Sequence, residues 1–307
     1  MADFRVKILY FRSMKAHTET VTFLGKDILL DHQGCDTDLD LMQTRLAEAN
    51  GRYDAIALVG ITRKLQLGKT KVPHPAGEEL FAIAAETPVV DGSGVRAALE
   101  RWAVRLAADA QPGIFARKHV LMAPGLNHHG LAQALSQYTE ELRYGDPVVY
   151  FGLPPAPGVG AADTLSSVAQ PTLSQLQTYP FNRIFPEAGT SMRKRSTKLF
   201  DWADIIAGDM GGIRRYAPKK LKRKIIITEL ATENDVADLQ ARGATAVVTT
   251  MPPLDNELAH LGAAVIEACL VAVRPDTDAP LNENTYLNLM AQMQWQPGIK
   301  FLQPEEA

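Results

Sequence analysis

The stretch from His119 to Asp146, HVLMAPGLNHHGLAQALSQYTEELRYGD, constrains the fold more than any other part of the chain. An apolar run over His119–Ala123 reads as a buried strand that breaks at Pro124-Gly125. A short polar loop follows, and Gly130 opens an amphipathic helix. A second strand-like run then ends at Gly145-Asp146. This is the pattern of a βαβ unit, and Asp146 lies about 20 residues beyond the first glycine, where a mononucleotide-binding unit places an acid for a ribose hydroxyl. On this reading Gly125, Asn127, His128 and Gly130 form a loop whose backbone N–H groups hold a pyrophosphate. The glycine spacing is G-x-x-x-x-G rather than G-x-G-x-x-G, and no Walker lysine is present, so a plain strand-loop-helix turn is the competing reading.

Alternation of strand and helix extends beyond this unit. Phe4–Phe11, a strand pair within 20–31 turning at Gly25-Lys26, Tyr53–Ile61 and Thr87–Asp91 read as strands. Helices are expected over 36–50, started by Asp36 and Thr37, over 76–86 and over 95–108, with a hairpin over 65–72. After an irregular region over 153–196, strands at 203–208, 224–228 and 246–250 resume the alternation. Thr232 and Asp235 read as a capping box, and Gly243 as a helix stop. Helices are expected over 262–273 and 281–297. Such alternation implies mainly parallel sheets. The expected fold is therefore α/β with two lobes: an N-terminal α/β domain over 1–115 and a Rossmann-like parallel-sheet domain over 116–275. A C-terminal helical segment over 276–307 would pack back across the cleft. A loop region as long as 153–196 is expected to have a task.

Bulk properties narrow the function. The 307 residues are 46% hydrophobic and 22% charged, as in a soluble globular protein. A net charge of −3 argues against a dedicated nucleic-acid binder. No apolar run is long enough to span a membrane, the start reads as a strand rather than a signal sequence, and a cytoplasmic protein is the expectation. Cys35 and Cys269 form no CxxC pair and read as small core residues. A homodimer, or a place in a larger multidomain protein, are both compatible with the sequence.

Several stretches resemble bacterial quinate/shikimate 5-dehydrogenase-like proteins. They are YDAIALVGI (53–61), TPVVDGSGVRAALER (87–101), YGD (144–146), FGLP (151–154), WADIIAGDMGGIRRYAP (202–218) and VVTTMPPL (247–254). The resemblance implies an N-terminal α/β domain followed by a Rossmann-like domain for a nicotinamide cofactor. Two departures matter. The lysine-bearing Asn-Val-Thr-x-Pro-x-Lys segment of shikimate dehydrogenases has its nearest match at KTKVPHP (69–75), where Pro75 takes the place of the lysine. The glycine-rich loop is replaced by residues 124–130. The reaction class therefore carries over, and the substrate does not.

The expected activity is that of an NAD(P)-dependent oxidoreductase acting on an alcohol or carbonyl compound in an interlobe cleft. NAD is favoured over NADP, because the carboxylate of Asp146 would accept ribose hydroxyls and repel a 2′-phosphate. Gly208, Asp209 and Thr250 would form the rim beside the nicotinamide. Lys71 and Asp91 are the candidate proton-exchanging pair, chosen over Lys64 and Lys69 for the Val-Pro-His run. Ser93, Arg214 and Arg215 are candidates for substrate binding, since Arg forks suit carboxylate or phosphate. Bland alternatives accompany each: Asp91 as a helix cap, Lys71 and the basic runs as solvated surface, Thr250 as a strand end. His128 and His129 lack a third ligand at metal spacing and the other histidines are scattered, so no metal is expected. The second reading is a non-redox nucleotide- or anion-binding module, regulatory or a partner domain of a larger assembly.

Overall fold

The computed structural model describes residues 2–139, 141–152, 165–185, 197–274 and 282–302. Its first sheet is built from β1 (Phe4–Tyr10), β2 (His17–Phe23), β3 (Lys26–Gly34), β4 (Ala55–Val59) and β7 (Val89–Val90). Between them come α1 (Leu39–Ala49), a small hairpin of β5 (Lys64–Leu67) and β6 (Thr70–Pro73), and α2 (Pro75–Ile83). The strand order is β2-β3-β1-β4-β7, parallel except for β2. A long helix, α3 (Ser93–Ala110), then leaves this lobe.

The second sheet takes β8 (His119–Met122), β9 (Glu141–Tyr144), β10 (Ile205–Ala207), β11 (Ile225–Thr228), β12 (Ala246–Thr249) and β13 (Gly298–Phe301). Its helices are α4 (His129–Leu135), α5 (Asp146–Phe151), α6 (Leu165–Leu176), α7 (Phe181–Ile184), α8 (Thr197–Trp202), α9 (Met210–Tyr216) and α10 (Glu233–Ala241). The order is β13-β12-β11-β10-β8-β9, parallel except for β13. Strands such as AIALV and IIIT are almost wholly apolar because helices cover both faces of a parallel sheet. The two-lobed α/β architecture expected from the sequence is the one observed.

The lobe boundaries differ from expectation. α11 (Ala263–Val273), assigned above to the second lobe, packs on β1, β4 and α3 of the first. Nearly every residue of this helix is buried. A helix apolar on all sides needs cover all round, and the first sheet with α3 supplies it. α12 (Glu283–Gln292) packs on α3, while β13, expected to lie within or beyond a helix, closes the edge of the second sheet. The chain thus crosses between the lobes along α3 and returns through the 251–262 loop. By β13 it has reached the second sheet again.

Local signals held unevenly. Thr232 and Asp235 form the reciprocal capping box, and Gly243 takes φ 90° at the helix end. The start of α1 differs from expectation. Asp36 and Thr37 adopt left-handed φ of 51° and 58°, and Asp38 caps the helix by accepting from the N–H groups of Asp40 and Leu41. In the region over 153–196, α6 lies against the β5–β6 hairpin, and Ile184 and Phe185 reach the cleft. Residues 153–164 and 186–196 lie outside the described residues.

Candidate functional site

The parallel strands of both lobes end at the gap between the sheets, which is where open α/β folds place their ligands. A cavity of about 270 Å³ occupies it. Val59 and Gly60 at the end of β4, Thr228 at the end of β11 and Asp209 after β10 bring the two lobes' strand ends into one wall. Tyr150, Phe185, Met210, Tyr216 and Leu230 supply apolar surface.

Its charged groups come in matched sets. His128 is 3% exposed; its Nδ1 lies 2.6 Å from Glu100 Oε1 and its Nε2 3.2 Å from Asp209 Oδ1. Burial opposes the charged imidazole, but Asp209 and Glu100 outweigh it and lift the His128 pKa to about 10. Asp209 is held below the usual carboxylate range, since His128 and Arg96 overcome the effect of its burial. Across the cleft, Arg96 Nε donates to Glu229 Oε2 at 3.2 Å. Glu229 Oε1 accepts the first N–H of α11, from Ala263, at 2.9 Å. One carboxylate from the second lobe thus grips two helices of the first. Two groups keep hydrogen-bonding capacity toward the cavity. The Asp209 side chain is 38% exposed, and the buried Thr228 Oγ1 has no partner among the described residues.

The loop over 125–130 is not arranged as a phosphate cradle. Glu100 Oε2 accepts the N–H of Leu131 at 2.8 Å, so a carboxylate of the protein itself occupies the anion position at the start of α4. That helix has only seven residues. Asp146 is fully buried rather than poised for a ribose; it accepts from Gly125 N and Leu126 N at 2.9 Å each and braces the loop from below. Gly125 serves packing: a Cβ there would lie 2.3 Å from the Tyr144 ring. Gly130 lets α4 approach α3, where a Cβ would meet the Ala97 backbone at 2.6 Å. Gly208, at φ 140°, lies against Ala123 and Pro124 in the same way. Asn127 lines the cleft, but its Oδ1 accepts Gln66 N at 2.7 Å and its own N–H reaches Gln66 O, tying the β5–β6 hairpin to the second lobe.

The remaining expected residues divide similarly. Asp91 lines the cavity, yet both its oxygens are engaged: Oδ1 accepts Ser93 N at 2.9 Å, and Oδ2 accepts Arg63 N at 2.7 Å and the Thr62 hydroxyl at 3.1 Å. It braces the loop and takes the first N–H of α3 from just ahead of the N-cap, Gly92, close to the bland reading. Lys71 is exposed on β6 and does not line the cavity, so the Lys71–Asp91 acid–base pair is not assembled. Ser93 is an exposed first-turn residue of α3. Arg214 forks onto Asp235, joining α9 to α10, and Arg215 lies beside the Tyr216 ring. Thr250 is buried, and its carbonyl accepts the Trp295 indole N–H at 3.1 Å; neither it nor the two arginines line the cavity. His128 and Asp209 do belong to the cleft, in a different role from the one expected. Missed altogether were Arg96, Glu100, Glu229 and Thr228. One signal was available: Glu100 stands on the same helix face as the apolar Ala103, Val104 and Ala107, where an acid needs a buried partner.

Fold and cleft together define a two-lobed α/β protein with a ligand-sized interlobe cavity. The chain belongs to the family described as Domain of unknown function (DUF8754), whose model matches residues 94–302. A second model, Domain of unknown function (DUF8753), matches residues 6–91. The two matches meet at the start of α3, which packs against both α4 and α11. No curated protein matches the chain. Similar solved structures include a glucose-galactose binding protein from Geobacillus stearothermophilus, with 12% identity, 97% of each chain covered and a TM-score of 0.39. Another is an ABC transporter solute binding protein from Burkholderia graminis in complex with D-arabinose, at 12% identity, covering 90% of this chain and 91% of that one, with a TM-score of 0.38. A third is aspartate transcarbamoylase from Trypanosoma cruzi in complex with aspartate and phosphate, at 12% identity, 79% and 77% coverage and a TM-score of 0.34. No helix among the described residues is long and apolar enough to cross a membrane.

Proposed function

We propose that this chain binds a compact, uncharged, hydroxyl-bearing small molecule between its lobes. The observation that carries this reading is the buried Thr228 hydroxyl, without a partner among the described residues, in the same cavity as the partly exposed carboxylate of Asp209. A buried hydroxyl without a partner is costly, and a ligand hydroxyl would satisfy it. The volume of about 270 Å³ suits a small polar molecule with an apolar face against Tyr150, Tyr216 or Phe185. The cleft's cations are already paired with its acids. A pyrophosphate would face Asp91, Asp209 and Glu229 with no unpaired cation among the described cavity-lining residues to receive it. Binding without redox chemistry is therefore favoured over an NAD(P)-dependent oxidoreductase, whose support is the parallel-strand crevice alone.

The test is a thermal-shift and calorimetric screen of monosaccharides, polyols and small amides, with NAD(H) and NADP(H) in parallel. A site held at 100-fold its dissociation constant should add about 2.7 kcal/mol of stability. For a ligand found in this way, Thr228→Val should weaken binding about three- to tenfold, the worth of one neutral hydrogen bond, with no loss of stability in the free protein. A response confined to the nicotinamide cofactors would replace this reading with the dinucleotide one.

A further inference from the structure

Away from the cleft wall, the first sheet gathers histidines that are distant in sequence. His17 and Glu19 lie two residues apart on β2 and so share a face. His32 on β3 pairs directly with His17. One ligand atom from each of the three lies within 4.8 Å of the others. His260, on the loop before α11, reaches the same carboxylate, with Nε2 at 2.9 and 3.1 Å from the two Glu19 oxygens.

From this convergence we infer a binding site for a divalent transition-metal ion of the zinc class, held by His17, Glu19 and His32, with His260 bonded to the Glu19 carboxylate behind them. Two imidazoles with one carboxylate are a donor set suited to such ions and leave a fourth position for water. Ligand atoms on tetrahedral zinc stand roughly 3.3–3.5 Å apart, from bonds of about 2.0–2.2 Å, so side-chain rotations that draw His17 in and ease His32 off Glu19 close the cluster.

Independent detail supports the assignment. His32 is 2% exposed, and its Nε2, although 2.9 Å from Glu19 Oε1, makes no hydrogen bond with it or with any other described group. A buried ring nitrogen with no hydrogen bond of its own keeps its lone pair for a ligand. The other nitrogen of each β-strand histidine is occupied. His32 Nδ1 meets the Tyr10 hydroxyl at 3.0 Å, and His17 Nδ1 lies 3.3 Å from the Lys15 carbonyl. Metal-bound imidazoles use their second nitrogen in this way, which fixes ring and tautomer. The two rings stack at 4.3 Å and 10°, with their Nε2 atoms left as the available donors. Tyr10 and His260 line a neighbouring cavity of about 280 Å³, which gives an ion a route in. An ion here would fasten β2 to β3.

The experiment uses the untagged full chain, dialysed against a chelator and then titrated with Zn²⁺ under competition from a chromophoric chelator. Co²⁺ serves as a spectroscopic probe in parallel. The expected result is one tightly held ion per chain and a tetrahedral Co²⁺ absorption spectrum. Tyr10→Phe, which touches only the second nitrogen of His32, should weaken affinity by about 10–100-fold. His17→Ala, Glu19→Gln and His32→Ala should weaken it more, and His119→Ala should not. His17 is exposed, so its variant keeps the test valid if His32→Ala fails to fold. Absence of stoichiometric Zn²⁺ binding by the wild type, or binding unchanged in His17→Ala, would overturn the inference.

Discussion

Asp146 shows how far a residue's role can move once its surroundings are known. Its position in the sequence suits a ribose ligand, but its carboxylate lies fully buried beneath the 125–130 loop, where two backbone N–H groups converge on it. Burial raises its pKa to about 6 despite those bonds. Asp146→Ala would strand both donors, at roughly 1–3 kcal/mol each. Chemical denaturation should register that loss, and any ligand affinity retained by the folded variant should show no altered preference between NAD and NADP. Glu267 makes a second prediction. It is a lone acid in the apolar helix α11, bonded to the Tyr286 hydroxyl at 2.9 Å and to Gly94 N at 3.3 Å. Burial, with the charge of Asp91 adding to it, pushes its pKa to about 7. The folded pKa is raised, so this group's contribution to stability is complete below about pH 4.5 and is lost as pH rises through about 7. Glu267→Gln should remove that decline and leave the variant roughly 2–3 kcal/mol more stable than wild type at pH 8, read from denaturation midpoints across pH. An identical pH profile for variant and wild type would show that Glu267 does not titrate in this window. Residues with local partners were legible in the sequence, as with Thr232 and Asp235 three positions apart. Arg96–Glu229 and His128–Asp209 were not, because their partners arrive from another lobe or another strand.

Elements were more legible than side chains, since periodicity is a local property. The buried strands, the β5–β6 hairpin and most helices follow from apolar spacing and turn residues. β13 was missed because GIKF is four residues long and its strand character comes from pairing with β12 rather than from its own pattern. The loop-helix element at 125–135 looked like a nucleotide cradle because glycines serve two purposes, ligand approach and close packing, and the sequence does not separate them. Gly130→Ala distinguishes the two. In an open helix this change would be favourable by up to about 1 kcal/mol. Here the added Cβ meets the Ala97 backbone at 2.6 Å and Glu100 Oε2 at 2.8 Å. Overpacking of this kind typically costs about 1–3 kcal/mol, so the clash wins and the variant should melt earlier than wild type. A variant of equal or higher stability would show that α3 and α4 are not in close contact.

At the scale of the whole molecule, two mainly parallel sheets face a common gap, and α3 packs against α11 on the first sheet and α4 of the second lobe. Crossings of this kind cannot be read from local pattern. α11 resembles any buried helix, and only its all-round burial shows that it belongs to the first sheet. The cleft inherits its chemistry from this arrangement, because Arg96 and Asp91 arrive from one lobe and His128, Asp209, Thr228 and Glu229 from the other. A ligand bridging such groups should slow opening of the gap. Amide exchange of the 251–262 loop and of the start of α3 should therefore slow on binding, whereas a ligand bound elsewhere would leave both segments unchanged. The most direct measurement of the central claim is a crystal structure with the best ligand from the neutral-molecule screen. The account predicts that ligand between the lobes, with a hydroxyl within hydrogen-bond distance of Thr228 Oγ1 and another on Asp209, and the Glu100 carboxylate still on Leu131 N. A ligand seated instead on the 125–130 loop with Glu100 displaced would contradict it.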